Sequence, residues 1–131
     1  MEVIRSISKI RKKSLEIQSR GKSIALVPTM GSLHDGHLAL IDYAKKKADI
    51  VVVSIFVNPT QFNEIEDFNR YPRNENQDID FCRKKFTDIV FIPDKKEILS
   101  KMNVWVYEDE LSSLYCGKFR PGHFKGVCTI V

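Results

Sequence analysis

Apolar positions along the 131-residue chain alternate between continuous runs and helically spaced stretches. Residues 23–27, "SIALV", form a short apolar run that reads as a strand, broken by Pro28 and Gly31. "DIVVVSIFV", residues 49–57, is β-branched throughout with no polar alternation, the pattern of a strand buried on both faces in a parallel sheet. "DIVFIP", residues 88–93, gives a third such run, and "NVWVYE", residues 103–108, predicts a further strand. Between them the period changes. Ile7, Ile10, Leu15 and Ile17 line one side of a helix that Ser6 or Ser8 can cap and Gly21 can stop. Leu38, Ile41 and Ala44 follow helical spacing, with Asp35 at the start and Lys45, Lys46 and Lys47 at the end, as the helix dipole favours. Further helices are predicted over 78–86 and 94–101. Alternating strands and helices give an α/β fold with a parallel sheet built from about residues 23–28, 50–57 and 88–92. The polar segment Thr60 to Asn76 is long for a connection in a compact domain, and loops of that length are usually functional.

Composition narrows the class. The length fits one domain, residues 1–131, and 43% hydrophobic residues argue against disorder. No apolar run approaches the roughly 20 residues that span a bilayer. The N-terminus has no secretory h-region, so a cytoplasmic setting with no membrane partner is expected. Cys82, Cys116 and Cys128 are widely spaced and odd in number, which suits small packing residues rather than a disulfide framework or zinc site. The net charge of +4 is too small to indicate nucleic acid, and none is expected as a partner. Its distribution matters more: after Glu110 there is no acidic residue, while Lys118, Arg120 and Lys125 fall close together, a patch suited to a small anion.

The chemistry concentrates in "VPTMGSLHDGH", residues 27–37. His34 and His37 are three residues apart at a predicted helix start and so face the same side. Helix N-termini attract anions through unpaired N–H groups and the dipole. Imidazole donors beside those amides would make a phosphate clamp, and Gly36 would remove a side chain where a nucleotide lies close to the backbone. The position, at the carboxyl end of the first predicted strand, is where open parallel sheets bind ligands. Two surface histidines, or a metal site short of ligands, remain alternatives on these residues alone.

The stretch "PTMGSLHDGHLAL" resembles the His-Ile-Gly-His motif of the adenylyltransferase superfamily shared with class I aminoacyl-tRNA synthetases. Together with "VSIFVNPTQF", "EDFNRYPR" and "GKFRPGHFKGV", in that order, it resembles the pantothenate synthetase family from about Ile24 to Val131. The resemblance implies a Rossmann-like parallel sheet. It implies an ATP-dependent ligase in which pantoate attacks the α-phosphorus of ATP, releases pyrophosphate and forms pantoyl adenylate, and β-alanine then displaces AMP. ATP, magnesium, pantoate and β-alanine are the implied ligands, and a homodimer the implied assembly, with the contact sought near "VVVSIFV". By the same resemblance His34 and His37 contact phosphate and serve catalysis, Met30, Gly31 and Gly36 line the ATP site, and Met30 borders the pantoate cleft as well. Asn58, Gln61, Arg120 and His123 fall on the pantoate side, and Asp78 lies near a magnesium-associated acid, beside Gln77 where relatives can carry a second one.

The resemblance also implies a C-terminally truncated chain: a later Gly-x-Lys-Asp segment, a Ser-Ser-Arg loop and a C-terminal lid domain of the family are not found before Val131. The expectation is therefore a nucleotide- and pantoate-binding N-terminal portion, inactive as a ligase by itself. Another adenylyltransferase, or a non-catalytic nucleotide-binding or dimerisation module, is the alternative.

Overall fold

The computed structural model describes residues 1–100 and 102–131. The chain divides into two compact units where composition alone suggested one domain: Met1–Phe56 with Pro72–Ile98, and Val57–Tyr71 with Leu99–Val131.

The first unit is a parallel α/β sheet. Its strands are β1 (Glu2–Ile4), β2 (Ile24–Thr29), β3 (Ile50–Ile55) and β4 (Ile89–Phe91), in the order β1-β4-β3-β2. Every pair is parallel, with Val27 opposite Val53 and Val53 opposite Val90. Helices α1 (Ile7–Ser19), α2 (Asp35–Lys45) and α4 (Glu75–Lys84) make the crossovers that parallel strands require. Period-2 geometry sorts the β3 run between two cores. Val51, Val53 and Ile55 join Val27, Val90, Ile41, Ala44 and Cys82 in one cluster. Val52 joins Ile4, Ile17 and Ile89 in the other. Burial on both faces explains why β3 shows no polar alternation. It also overturns β3 as the place to look for a subunit contact, since it lies between β4 and β2 with Val51, Val52, Val53 and Ile55 buried.

Strand β1 was not expected. Its three residues are too few to show a period, and it adds beside β4 through Glu2–Ile89, Val3–Val90 and Ile4–Phe91. Helix α1 starts at Ile7 after Ser6, whose side chain makes no capping bond; Glu97 accepts from the Ile7 N–H instead, at 3.0 Å. Helix α5 (Lys95–Leu99) lies inside the predicted 94–101 helix, whose end at Lys101 is outside the described residues. Cys82 packs in the core as expected, and burial pushes its thiol up to about 11.

In the second unit a 3-10 turn, Pro59–Gln61, is followed by α3 (Ile65–Arg70), and the C-terminal part holds α6 (Cys116–Phe119) and α7 (His123–Ile130). The Thr60–Asn76 segment is thus partly helical. Phe62 makes edge-to-face contacts with Phe68 and Tyr71, at 5.5 and 5.7 Å between ring centroids. Residues 103–108 are not a strand. Their β-branched and aromatic residues suit one, but a strand needs a neighbour. Here the Val106 N–H donates to the Thr129 hydroxyl at 3.0 Å, and the Lys125 ammonium lies over the Trp105 ring at 4.7 Å.

Candidate functional site

The first candidate cluster forms where β2 ends. Thr29, its last residue, donates its hydroxyl to the Ser54 carbonyl and accepts from the Gly31 N–H. Gly31 and Ser32 then both take left-handed conformations, at φ 80° and 52°. Such a pair turns the chain sharply and aims successive N–H groups to one side, the geometry of an anion-binding nest. The anion here is internal. Asp78, on the first turns of α4 and 2% exposed, accepts from Ser32 N–H at 2.9 Å and Leu33 N–H at 2.7 Å, one bond to each oxygen. Gly31 is required twice over, since a Cβ there would also lie 2.9 Å from Asp78 Oδ2. Met30, half-buried, leads into this turn.

The two histidines follow, and their rings are paired at 4.1 Å between centroids. His34 is the N-cap of α2. Its Nδ1 accepts from the Gly36 N–H at 3.1 Å, while His37 Nδ1 accepts from the His34 N–H at 3.3 Å, forming a reciprocal capping box. This changes the sequence expectation. Two of the amides expected to face a phosphate, those of His34 and Gly36, are already capped by the imidazoles themselves. A ring nitrogen that accepts carries no proton, so both neutral rings hold theirs on Nε2. What the site presents is a pair of Nε2–H donors at the positive end of a helix, with His34 exposed and His37 half-buried. Gly36 also has a different reason from the one expected: a Cβ there would lie 3.0 Å from His34 Cε1 and 3.1 Å from its Nδ1.

Burial lowers the His37 pKa, the adjacent His34 lowers it further and Asp78 opposes them. An NMR titration is therefore expected to place His37 below the ordinary value of about 6.5. The sign for stability follows. Above that value folded and unfolded chains both hold a neutral ring and the His37 titration adds no pH dependence to stability. As pH falls through it the unfolded chain takes the proton first, so stability declines, and it levels off once the folded ring is protonated too. Protonation also removes the acceptor for the His34 N–H. A normal or raised midpoint would contradict this account.

The second cluster belongs to the second unit. Asn58, 1% exposed, caps the Pro59–Gln61 turn: its Oδ1 accepts from the Thr60 N–H at 3.1 Å and the Thr60 hydroxyl at 2.7 Å. Its Nδ2 donates to the Gly126 carbonyl of α7 at 3.0 Å and to Gln61 Oε1 at 3.2 Å. Asn before Pro at a first helical position was a readable capping signal. His123, at the start of α7, donates from Nδ1 to the Gln61 carbonyl at 2.8 Å, because a carbonyl only accepts. Its neutral ring therefore presents a bare Nε2 acceptor, the opposite of His34 and His37. Arg120, two residues before Gly122, is exposed. Gly126 was not singled out by the sequence, yet a Cβ there would lie 2.6 Å from the Thr60 carbonyl carbon and oxygen and 2.7 Å from Gln61 N. So Asn58, Gln61 and His123 are brought together in one unit, and Gly31, His34, Gly36, His37 and Asp78 in the other.

Asp78 does not fit the magnesium role expected of it. It is buried, and each oxygen is committed to a main-chain N–H. Among the described residues no group of three or more His, Cys, Asp or Glu side chains could hold a metal ion, and no helix is long and apolar enough to cross a membrane.

Comparison with known proteins adds the following. A family model described as pantoate-beta-alanine ligase matches residues 2–131. The pantothenate synthetase of Fervidobacterium nodosum is 50% identical over 132 residues, and that of Coprothermobacter proteolyticus 48% over 135; each match takes in 100% of this chain and 47% of the relative. The chain thus spans about half the length of the curated relatives it matches. Among solved structures, the pantoate-beta-alanine ligase of Francisella tularensis, complexed with beta-gamma ATP and beta-alanine, superposes with a TM-score of 0.92 at 39% identity, over 99% of this chain and 50% of that one. The pantothenate synthetase of Thermus thermophilus gives 0.84 at 36% identity, over 99% and 46%.

Proposed function

Since the chain belongs to the pantoate–beta-alanine ligase family, we propose that it supplies the ATP- and pantoate-binding portion of an AMP-forming ligase that joins pantoate to β-alanine. The observation that carries the reading is the paired Nε2–H donors of His34 and His37, their protons set by the main-chain N–H groups that their Nδ1 atoms cap. Attack of the pantoate carboxylate on the α-phosphorus develops negative charge on phosphate oxygens. Neutral imidazole donors held in fixed orientation stabilise that charge without reorganising. No covalent nucleophile is needed; the reaction rests on alignment, with the reacting atoms about 3–3.5 Å apart.

Pantoate carries a carboxylate and hydroxyls. The Gln61 amide can donate to the first and pair with the second. The His123 Nε2 acceptor suits a hydroxyl rather than the carboxylate, and the Arg120 fork suits the carboxylate. Met30, Gly31 and Gly36 belong to the ATP site on this reading, and Asn58 supports Gln61. Magnesium enters with ATP as part of the substrate. The wider reading includes a homodimer in the cytoplasm, and sedimentation showing only monomer at high concentration would count against the dimer.

The test is titration followed by histidine-ring and side-chain amide NMR. ATP is expected to shift the Nε2 resonances of His34 and His37, and pantoate those of Gln61 and His123. If ATP leaves both rings unmoved, the phosphate assignment is wrong. Mixed with ATP, magnesium, pantoate and β-alanine, these 131 residues alone, about half the relatives' length, are expected to produce no AMP at a rate comparable with a full-length relative.

Gly36→Ala separates site from scaffold. Alanine is the better helix former by about 1 kcal/mol, so thermal stability should hardly fall. Its Cβ would press on His34 Cε1 and Nδ1 and displace the ring that accepts from the Gly36 N–H. ATP affinity should drop by about tenfold, roughly 1.4 kcal/mol, because the displaced His34 ring no longer aims its donor. Unchanged ATP binding would remove Gly36 from the site.

A further inference from the structure

We infer that Asp78 is a positioning residue for nucleotide binding: its buried carboxylate occupies the nest formed by the 31–33 turn and so fixes the two histidines that meet phosphate. The inference rests on the ATP reading above, but its geometry stands apart from it. A buried carboxylate is costly unless its charge is used. No lysine or arginine pairs with Asp78 among the described residues; its oxygens are satisfied by Ser32 N–H and Leu33 N–H.

Those two donors belong to the residues that need holding. Ser32 is a non-glycine residue at φ 52°, a strained conformation that persists only where its surroundings enforce it. Leu33 is buried in the core, and the next residue is His34. The carboxylate therefore fixes the direction in which the chain enters α2, and with it the rings whose Nδ1 atoms cap the His34 and Gly36 N–H groups. A helix N-terminal acid acting only on α4 would not need both oxygens on a turn 45 and 46 residues away. The nest would otherwise be the natural seat for a phosphate. Filling it from within leaves recognition to side-chain donors projecting beyond it.

The experiment uses the chain as it is, with Asp78→Asn. An amide can accept at only one of its two terminal atoms, so one of the two main-chain donors must face an NH2 group. Amide hydrogen exchange at Ser32 and Leu33 is expected to accelerate in the absence of any ligand. ATP affinity is expected to fall roughly ten- to hundredfold, the scale of a misplaced site, by the same factor in EDTA as in magnesium. Pantoate affinity should stay within about twofold. A loss seen only with magnesium would make Asp78 a metal ligand and overturn the inference; so would unchanged exchange at Ser32 and Leu33. If the unsubstituted chain binds no ATP, the functional reading fails while the exchange arm still decides the clamp. Should Asp78→Asn not fold, Gly31→Ala, whose Cβ would press on Asp78 Oδ2, must give the same pattern.

Discussion

Replacing His37 by alanine is expected to lower adenylate formation by about 10²–10³-fold in an enzyme of the relatives' full length in which this chain supplies the first half. Removal of one donor aimed at developing negative charge typically costs roughly 2.7–4 kcal/mol of barrier. Two losses combine here. The Nε2–H donor disappears, and the His34 N–H loses the Nδ1 acceptor that completes the capping box. The second loss touches helix stability, on the order of 0.5–2 kcal/mol, and the first touches only the reaction. His37→Gln separates them, because a glutamine amide can still donate into the site; it is expected to recover part of the rate. The measurement is pantoate-dependent release of pyrophosphate. A His37→Ala enzyme forming pantoyl adenylate at the normal rate would end the phosphate role.

The second large effect is expected at Gly126, and it is one of packing. Alanine there places a methyl 2.6 Å from the Thr60 carbonyl carbon and oxygen and 2.7 Å from Gln61 N. All three are backbone atoms of a turn that Asn58 already holds by three hydrogen bonds, with a fourth tying it to the Gly126 carbonyl. No side chain can swing aside, so helix α7 must retreat. Overpacking of this kind costs about 1–3 kcal/mol or more. The Asn58 bond to Gly126 and the His123 bond to the Gln61 carbonyl stretch together. The second unit should lose amide protection at Thr60 and Gln61 and bind pantoate more weakly, while β2, β3 and β4 keep theirs. Wild-type exchange at Thr60 and Gln61 in Gly126→Ala would show that the close approach is not maintained in solution.

Periodicity revealed what is regular and long enough to show it. Val51, Val53 and Ile55 belong to one core and Val52 to the other, so the polar-free run was a direct image of a strand with covered faces. Helix α2 was equally visible, because its apolar spacing, its leading Asp35 and its trailing Lys45 agree. Strand β1 was invisible for a plain reason: three residues carry no period, and their order comes from a neighbour at 89–91. Residues 103–108 show the converse, a strand-like composition with no strand beside it in the second unit.

The candidate site divides in the same way. Spacing placed His34 and His37 on one side of a helix start, but it could not show that the rings cap that helix, since capping depends on rotamers. The four blocks of family resemblance picked out Asn58, Gln61 and His123, and local hydrogen bonds within the second unit join them. Asp78 was linked to a metal by the family resemblance alone; its partners, Ser32 and Leu33, are far away in sequence, and no local rule connects them.

The ladder between residues 2–4 and 89–91 also sets an order in time. On a growing chain β1 emerges before the other three strands and has no partner until almost the whole first unit has been made. The pairing of β2 with β3 spans a much shorter loop and can close early, with α2 forming inside it. Strand β4 then adds to β3, and β1 can join only after that, so the earliest of the four strands to be made is the last to be paired. Until then the outer edge of β4, "IVF", stays open to any extended chain nearby. Nascent chains stalled before Ile89 should therefore leave the amides of residues 2–4 unprotected while those of β2 and β3 already resist exchange, and crowded translation of this segment carries its aggregation risk in the interval between the emergence of β4 and its capture of the N-terminus.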